Sequence, residues 1–104
     1  MKEIKVIIES SLVEKVLEAL RDIPDLPGIS TSEVSVYHPV PPGRGFACSV
    51  KRISLEIVVP GSIAGVVVDA IARAGHSDAP CDGRIFVTNV AAAANIRDIE
   101  STGA

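Results

Sequence analysis

The chain has no tryptophan, no glutamine and only three aromatic residues, Tyr37, Phe46 and Phe86, among its 104 positions. A surface that stacks the bases of single-stranded nucleic acid needs more rings than that. The formal net charge of −3 supplies no basic field for a phosphate backbone either, so nucleic acid is not an expected partner. Cys48 and Cys81 are the only cysteines, too few and too distant for a disulfide scaffold or a zinc knuckle. No apolar run approaches the ~18 residues of a membrane span, and residues 1–6 alternate polar and apolar side chains where a signal peptide would be continuously apolar. A cytoplasmic protein without membrane insertion is the expectation. Nucleophile–base pairs, carboxylate dyads and metal-ligand spacings are missing as well, with His38 and His76 too far apart to form a motif. The sequence therefore predicts no catalytic residue, no metal site and no enzyme.

What is present is aliphatic. Hydrophobic residues make up 47% of the chain, so Val, Ile, Leu and Ala must build the core, and such an excess in a small protein points to a buried subunit interface. At this length a single domain spanning residues 1–104 is expected, able to bury roughly 60–70% of its unfolded surface. Ile4, Val6 and Ile8 alternate with polar neighbours over residues 2–9, a first strand. Ser11 and Glu14 have the spacing of a capping box, and Val13, Val16, Leu17, Leu20 and Ile23 form the apolar stripe of a helix. Pro24, Pro27 and Gly28 break it, and residues 29–37 read as a second strand. Residues 38–45, HPVPPGRG, hold three prolines and two glycines and predict an irregular loop, extending over 38–50.

The second half repeats the pattern. Ile53, Leu55, Ile57 and Val59 alternate, Pro60 ends the strand, and Ile63, Val67, Ala70, Ile71 and Ala74 recur at helical spacing until Gly75. A short polar loop and a turn at residues 81–84 lead into Ile85, Phe86 and Val87, and a tail follows over 91–104. The order predicts an α+β, ferredoxin-like βαββαβ fold, a four-stranded antiparallel sheet with both helices on one face. The uncovered face carries Val, Ile and Leu positions, so a compact oligomer should cover it.

Residues 55–60, the helix after them and Asp82-Gly83-Arg84-Ile85-Phe86-Val87 resemble the PII nitrogen-regulatory signalling family, and the opening Met1-Lys2-Glu3-Ile4 and Ser30-Thr31-Ser32-Glu33-Val34 are similar too. The resemblance implies a homotrimer binding adenine nucleotide in clefts between subunits, with the loop between strands two and three contacting a target protein such as a transporter or a metabolic enzyme. By position it implies that Asp82, Gly83 and Arg84 hold phosphates, that Arg97 reaches a phosphate across the subunit boundary, and that Ser30, Glu56, Ile57 and Val58 lie beside the adenine. A glycine followed by arginine suits such an anion independently. The nucleotide would be a regulatory ligand, and no cofactor is expected.

The departures from the family pattern retune that expectation. Without a glutamine the chain lacks the loop side chain on which the family's 2-oxoglutarate site depends, and Tyr37 is not the family's modified tyrosine. Asp78, Ala79, Pro80 and Cys81 replace a run that carries a lysine, which disfavours a terminal phosphate and so favours ADP or AMP over ATP. Short PII-like proteins of this kind resemble a group linked to inorganic carbon handling, which implies bicarbonate as a small anionic effector. Arg44, between Gly43 and Gly45, is the first candidate to hold it, then Lys51 and Arg52. Cys48 and Cys81 form a candidate redox pair beside the cleft. The alternative from another class is a trimeric metal-binding, copper-tolerance-like protein or a weak nucleotide hydrolase of the same architecture.

Overall fold

The computed structural model describes residues 1–40, 43–46, 50–76 and 83–97. Four strands and two helices follow one another as β1 (Lys2–Ile8), α1 (Val13–Leu20), β2 (Ser30–Val36), β3 (Val50–Val59), α2 (Gly61–Gly75) and β4 (Arg84–Asn89). The strands form one sheet in the order β2-β3-β1-β4, with every neighbouring pair antiparallel. Each half is a strand–helix–strand unit, and β1 and β3 lie side by side at the centre. This is the ferredoxin-like arrangement expected from the order of elements.

The period-2 alternation of β1 explains why it is central. Ile4, Val6 and Ile8 all point to one face and are at most 2% exposed. They oppose Ile57, Leu55 and Ile53 on β3 and, for the first two, Val87 and Ile85 on β4. Val16 and Leu20 of α1 and Ala64, Val67, Ile71 and Ala74 of α2 close over that face. Burying each Ile, Leu or Val contributes about 1.5–3 kcal/mol relative to leaving it in water, so this layer carries the stability. No helix among the described residues is long and apolar enough to cross a membrane.

The helix starts and ends differ from the sequence expectation. The Ser11–Glu14 capping box is not formed: residues Ser10–Leu12 coil into a 3₁₀ turn, closed by the Leu12 amide donating to the Glu9 carbonyl at 3.0 Å. Ser11 thus lies inside a helical turn instead of before it, and α1 begins at Val13 without a side-chain cap. The same helix ends at Leu20, where Arg21 shares its amide between the Leu17 and Glu18 carbonyls, and Asp25 then turns the chain with φ +63°. Ile23 nevertheless packs on the core from the following loop. At the other end of the hairpin, β3 starts at Val50, three residues earlier than the alternation suggests, because Val36 and Ser35 of β2 find partners in Val50 and Lys51.

Candidate functional site

Alternation sends every second residue of the same four strands to the face without helices. There the residues stand in rows: Ser32, Ser54, Ile7 and Arg84 lie side by side across the sheet, and Ser30, Glu56, Lys5 and Phe86 form the next row. Charges on this face are paired across strands. Lys5 Nζ is 3.8 Å from Glu56 Oε1, and Arg52 Nη2 is 3.9 Å from Glu9 Oε1. Ser54 is 1% exposed and its hydroxyl has no hydrogen-bond partner among the described residues, while Phe86 on the edge strand β4 is 44% exposed.

Two clefts open here. The larger, about 360 Å³, is bordered by Ile7, His38, Arg52, Gly83, Arg84 and Phe86 together with the chain just past β2. Arg52 is held in place at its rim, donating from Nη1 to the Lys51 carbonyl at 3.1 Å besides its pairing with Glu9. Arg84 makes no ion pair or hydrogen bond among the described residues. Two guanidinium groups at one opening, one of them uncommitted, form a setting for an oxyanion, since each offers a planar fork of donors.

Gly83 at the mouth of this cleft is required by packing. A Cβ there would run into the Ile7 carbonyl oxygen and Ile8 Cγ2, because β4 is entered hard against the end of β1. The close backbone approach that a glycine permits is thus made to the protein's own central strand.

The smaller cleft, about 230 Å³, lies at the other end of β2 and β3 and is bordered by Gly28, Ser30, Glu56, Ile57 and Val58 with Glu3 and Pro27. The Ser30 hydroxyl donates to the Glu56 carbonyl at 3.4 Å, which ties the edge strand to β3 at this point. All four residues expected beside an adenine therefore share one opening. Gly83 and Arg84 share the other. The ends of β2 that mark the two clefts are about 20 Å apart at strand rise.

The remaining expectations are distributed unevenly. Arg52 joins Arg84 in the larger cleft, whereas Lys51 is exposed on the strand beside it. Gly43, Arg44 and Gly45 form an exposed hairpin tip instead, with both glycines at positive φ (+85° and +79°), the Val40 amide donating to the Gly45 carbonyl and Pro39 bridging Phe46. Neither Arg44 nor Lys51 borders either cleft. Arg97 is exposed beyond the sheet and borders neither one. Asp82 and the pair Cys48 and Cys81 lie outside the described residues. Among the described residues no group of three His, Cys, Asp or Glu side chains is arranged to hold a metal ion. Sequence reasoning missed Ile7, His38 and Phe86 as cleft residues. The signal available for them was the pairing of Ile7 with Arg84, which becomes visible only once the β1–β4 register is known.

The family model for nitrogen regulatory protein P-II matches residues 1–100. The chain belongs to the P-II family. It is 32% identical to the nitrogen regulatory protein P-II of Bradyrhizobium diazoefficiens over 97% of this chain and 96% of that protein. It is also 32% identical to nitrogen regulatory protein P-II 1 of Escherichia coli K12 over all of this chain and 98% of that one, and 28% identical to the Azospirillum brasilense protein over 99% and 97%. Against the Escherichia coli protein, 111 aligned positions serve 104 residues, so seven positions of that relative have no counterpart here. P-II membership accounts for the ferredoxin-like sheet and makes this chain a member of a family of signalling regulators.

Proposed function

We propose that this chain is a P-II-type regulator that binds an adenine nucleotide between the subunits of a homotrimer and signals through the loop joining β2 and β3. One observation carries the reading. Ser30, Glu56, Ile57 and Val58, expected at the adenine, border one cleft, and Gly83 and Arg84, two of those expected at the phosphates, border another at the opposite end of β2 and β3. Each cleft is half a nucleotide site, and a closed symmetric oligomer is the simplest arrangement that sets one chain's half against its neighbour's. The half-buried apolar residues of the bare face, Ile7, Val34, Val36 and Val58, support its coverage by other subunits.

In this reading Ser30, Glu56, Ile57 and Val58 of one subunit bracket the base, and Gly83, Arg84 and Asp82 of the next hold the phosphates, with Arg97 reaching in from the tail. Arg84 has no ion-pair or hydrogen-bond partner among the described residues, which leaves it available to a phosphate. ADP or AMP is favoured over ATP, because in the sequence Asp78, Ala79, Pro80 and Cys81 replace a run that carries a lysine in the family pattern. The small effector is an anion such as bicarbonate, and of the candidates for it Arg52 is the best supported, since it shares the cleft with Arg84. Nucleotide and effector then bias the order of the loop, and a transporter or metabolic enzyme reads the result.

Calorimetry with ADP, AMP and ATP, with and without bicarbonate, tests this. Micromolar-class binding of ADP or AMP that bicarbonate strengthens, with the same factor seen in reverse, is the expected result. Tight ATP binding with negligible ADP and AMP binding would refute the nucleotide preference, and indifference to bicarbonate would remove it as the effector.

A further inference from the structure

His38 is the group bordering the Arg84 cleft whose side-chain type changes charge near neutral pH, and the nucleotide reading gives it no task. It stands two residues beyond the end of β2, exposed, and borders the same opening as Arg52 of β3 and Arg84 of β4. The charges around that opening come from each strand in turn. β4 contributes the uncommitted Arg84, and β3 contributes Arg52, partly neutralised by Glu9 just past the end of β1 at 3.9 Å. Lys5 of β1 and Glu56 of β3 answer each other one row away. Tyr37 and Phe86, which also border the cleft, bring rings without charge at neutral pH. An oxyanion held by the two guanidinium groups would thus lie in an opening that His38 also borders.

We infer that His38 is a further anion-binding residue of this cleft, acting as a third cation when its imidazole is protonated, so that the cleft holds an oxyanion more tightly at mildly acid pH. The inference rests on the anion-binding reading of Arg84 and Arg52. Its sign follows from linkage: an anion that interacts better with imidazolium than with imidazole favours proton uptake, and protonation tightens the anion by the same factor. A pH-sensing step is thereby attached to the anion cleft at the root of the β2–β3 loop, where a change in His38 is felt by the segment that follows it.

Sulfate is the suitable probe, because its charge does not change over the range concerned. Wild-type protein is expected to bind sulfate about tenfold more tightly at about pH 5.5 than at about pH 8, the factor that one charge-assisted hydrogen bond supplies. His38→Gln should keep the pH 8 affinity and lose the pH dependence. A flat wild-type profile, no sulfate binding at either pH, or a His38→Gln protein with the wild-type profile overturns the inference. ADP titration at about pH 8 separates the two levels. Wild-type protein that fails to bind ADP there removes the nucleotide reading, while protein that binds ADP with a flat sulfate profile removes only the role of His38.

Discussion

The two faces of the sheet are made by the same four strands and obey different rules. On the helix side, Ile4, Val6, Leu55, Ile57 and Val59 are buried aliphatics at most 4% exposed, and any one of them could be read from alternation. On the bare side the residues interleaved with them are serines, cross-paired charges, the half-buried aliphatics Ile7, Val34, Val36 and Val58, a half-exposed phenylalanine, and Arg84, which has no partner among the described residues. One face holds the molecule together, and the other is left to meet something else. A one-residue slip of any strand would exchange the two sets, which is why the register is so strongly specified here.

If that division is right, substitutions should separate by face. Ile4→Ala, in the middle of the helix-side layer, is expected to cost about 3–4 kcal/mol in denaturant unfolding, the loss of buried methyl groups plus an unfilled cavity. A loss under about 1 kcal/mol would mean that this layer does not carry the stability. Gly83→Ala should cost about 1–3 kcal/mol, because its Cβ collides with the Ile7 carbonyl and Ile8 and must push β4 off β1. Gly83 also borders the larger cleft, so nucleotide binding should weaken along with stability. Arg84→Gln should leave stability within about 0.5 kcal/mol, as an exposed side chain without partners does. Its effect belongs to the other face: ADP affinity should fall about 10- to 100-fold, the worth of hydrogen bonds to a charged group. Ser54→Ala sharpens the comparison most finely. Its buried hydroxyl lacks a partner among the described residues, so removing it should raise stability by up to about 1 kcal/mol. A fall of that size would instead show that another subunit supplies the missing hydrogen bond.

The legibility of the sequence follows the same line. The element order, both helices and the core were readable because burial imposes a period, two in Ile4-Val6-Ile8 and about 3.6 in Val67-Ile71-Ala74. Boundaries were less so: Ser11 and Glu14 have capping-box spacing, but the 3₁₀ turn at Glu9 displaces the start of α1. On the bare face no period exists to read. Ser30, Glu56, Ile57 and Val58 were found through family resemblance and do share an opening, as do Gly83, Arg84 and Arg52. Arg44, attractive in sequence because two glycines flank it, turns away onto a hairpin tip, since those glycines serve left-handed backbone. His38 and Ile7 carry no motif. Their place in the cleft depends on which strands lie next to which, a non-local fact that spacing along the chain does not encode.

The central claim is that a nucleotide is held by two half-sites from different chains, and a mixing experiment tests it most directly. Arg84→Gln damages one half and Ser30→Tyr, which fills the cleft at the end of β2, damages the other. Each variant alone should bind ADP well below wild-type affinity. Unfolded together in equal amounts and refolded as mixed assemblies, they should regain wild-type affinity at about a quarter of the sites, those pairing two undamaged halves in a closed ring. Mixed assemblies of demonstrated composition that recover no ADP binding would contradict the account and place the whole site within one chain.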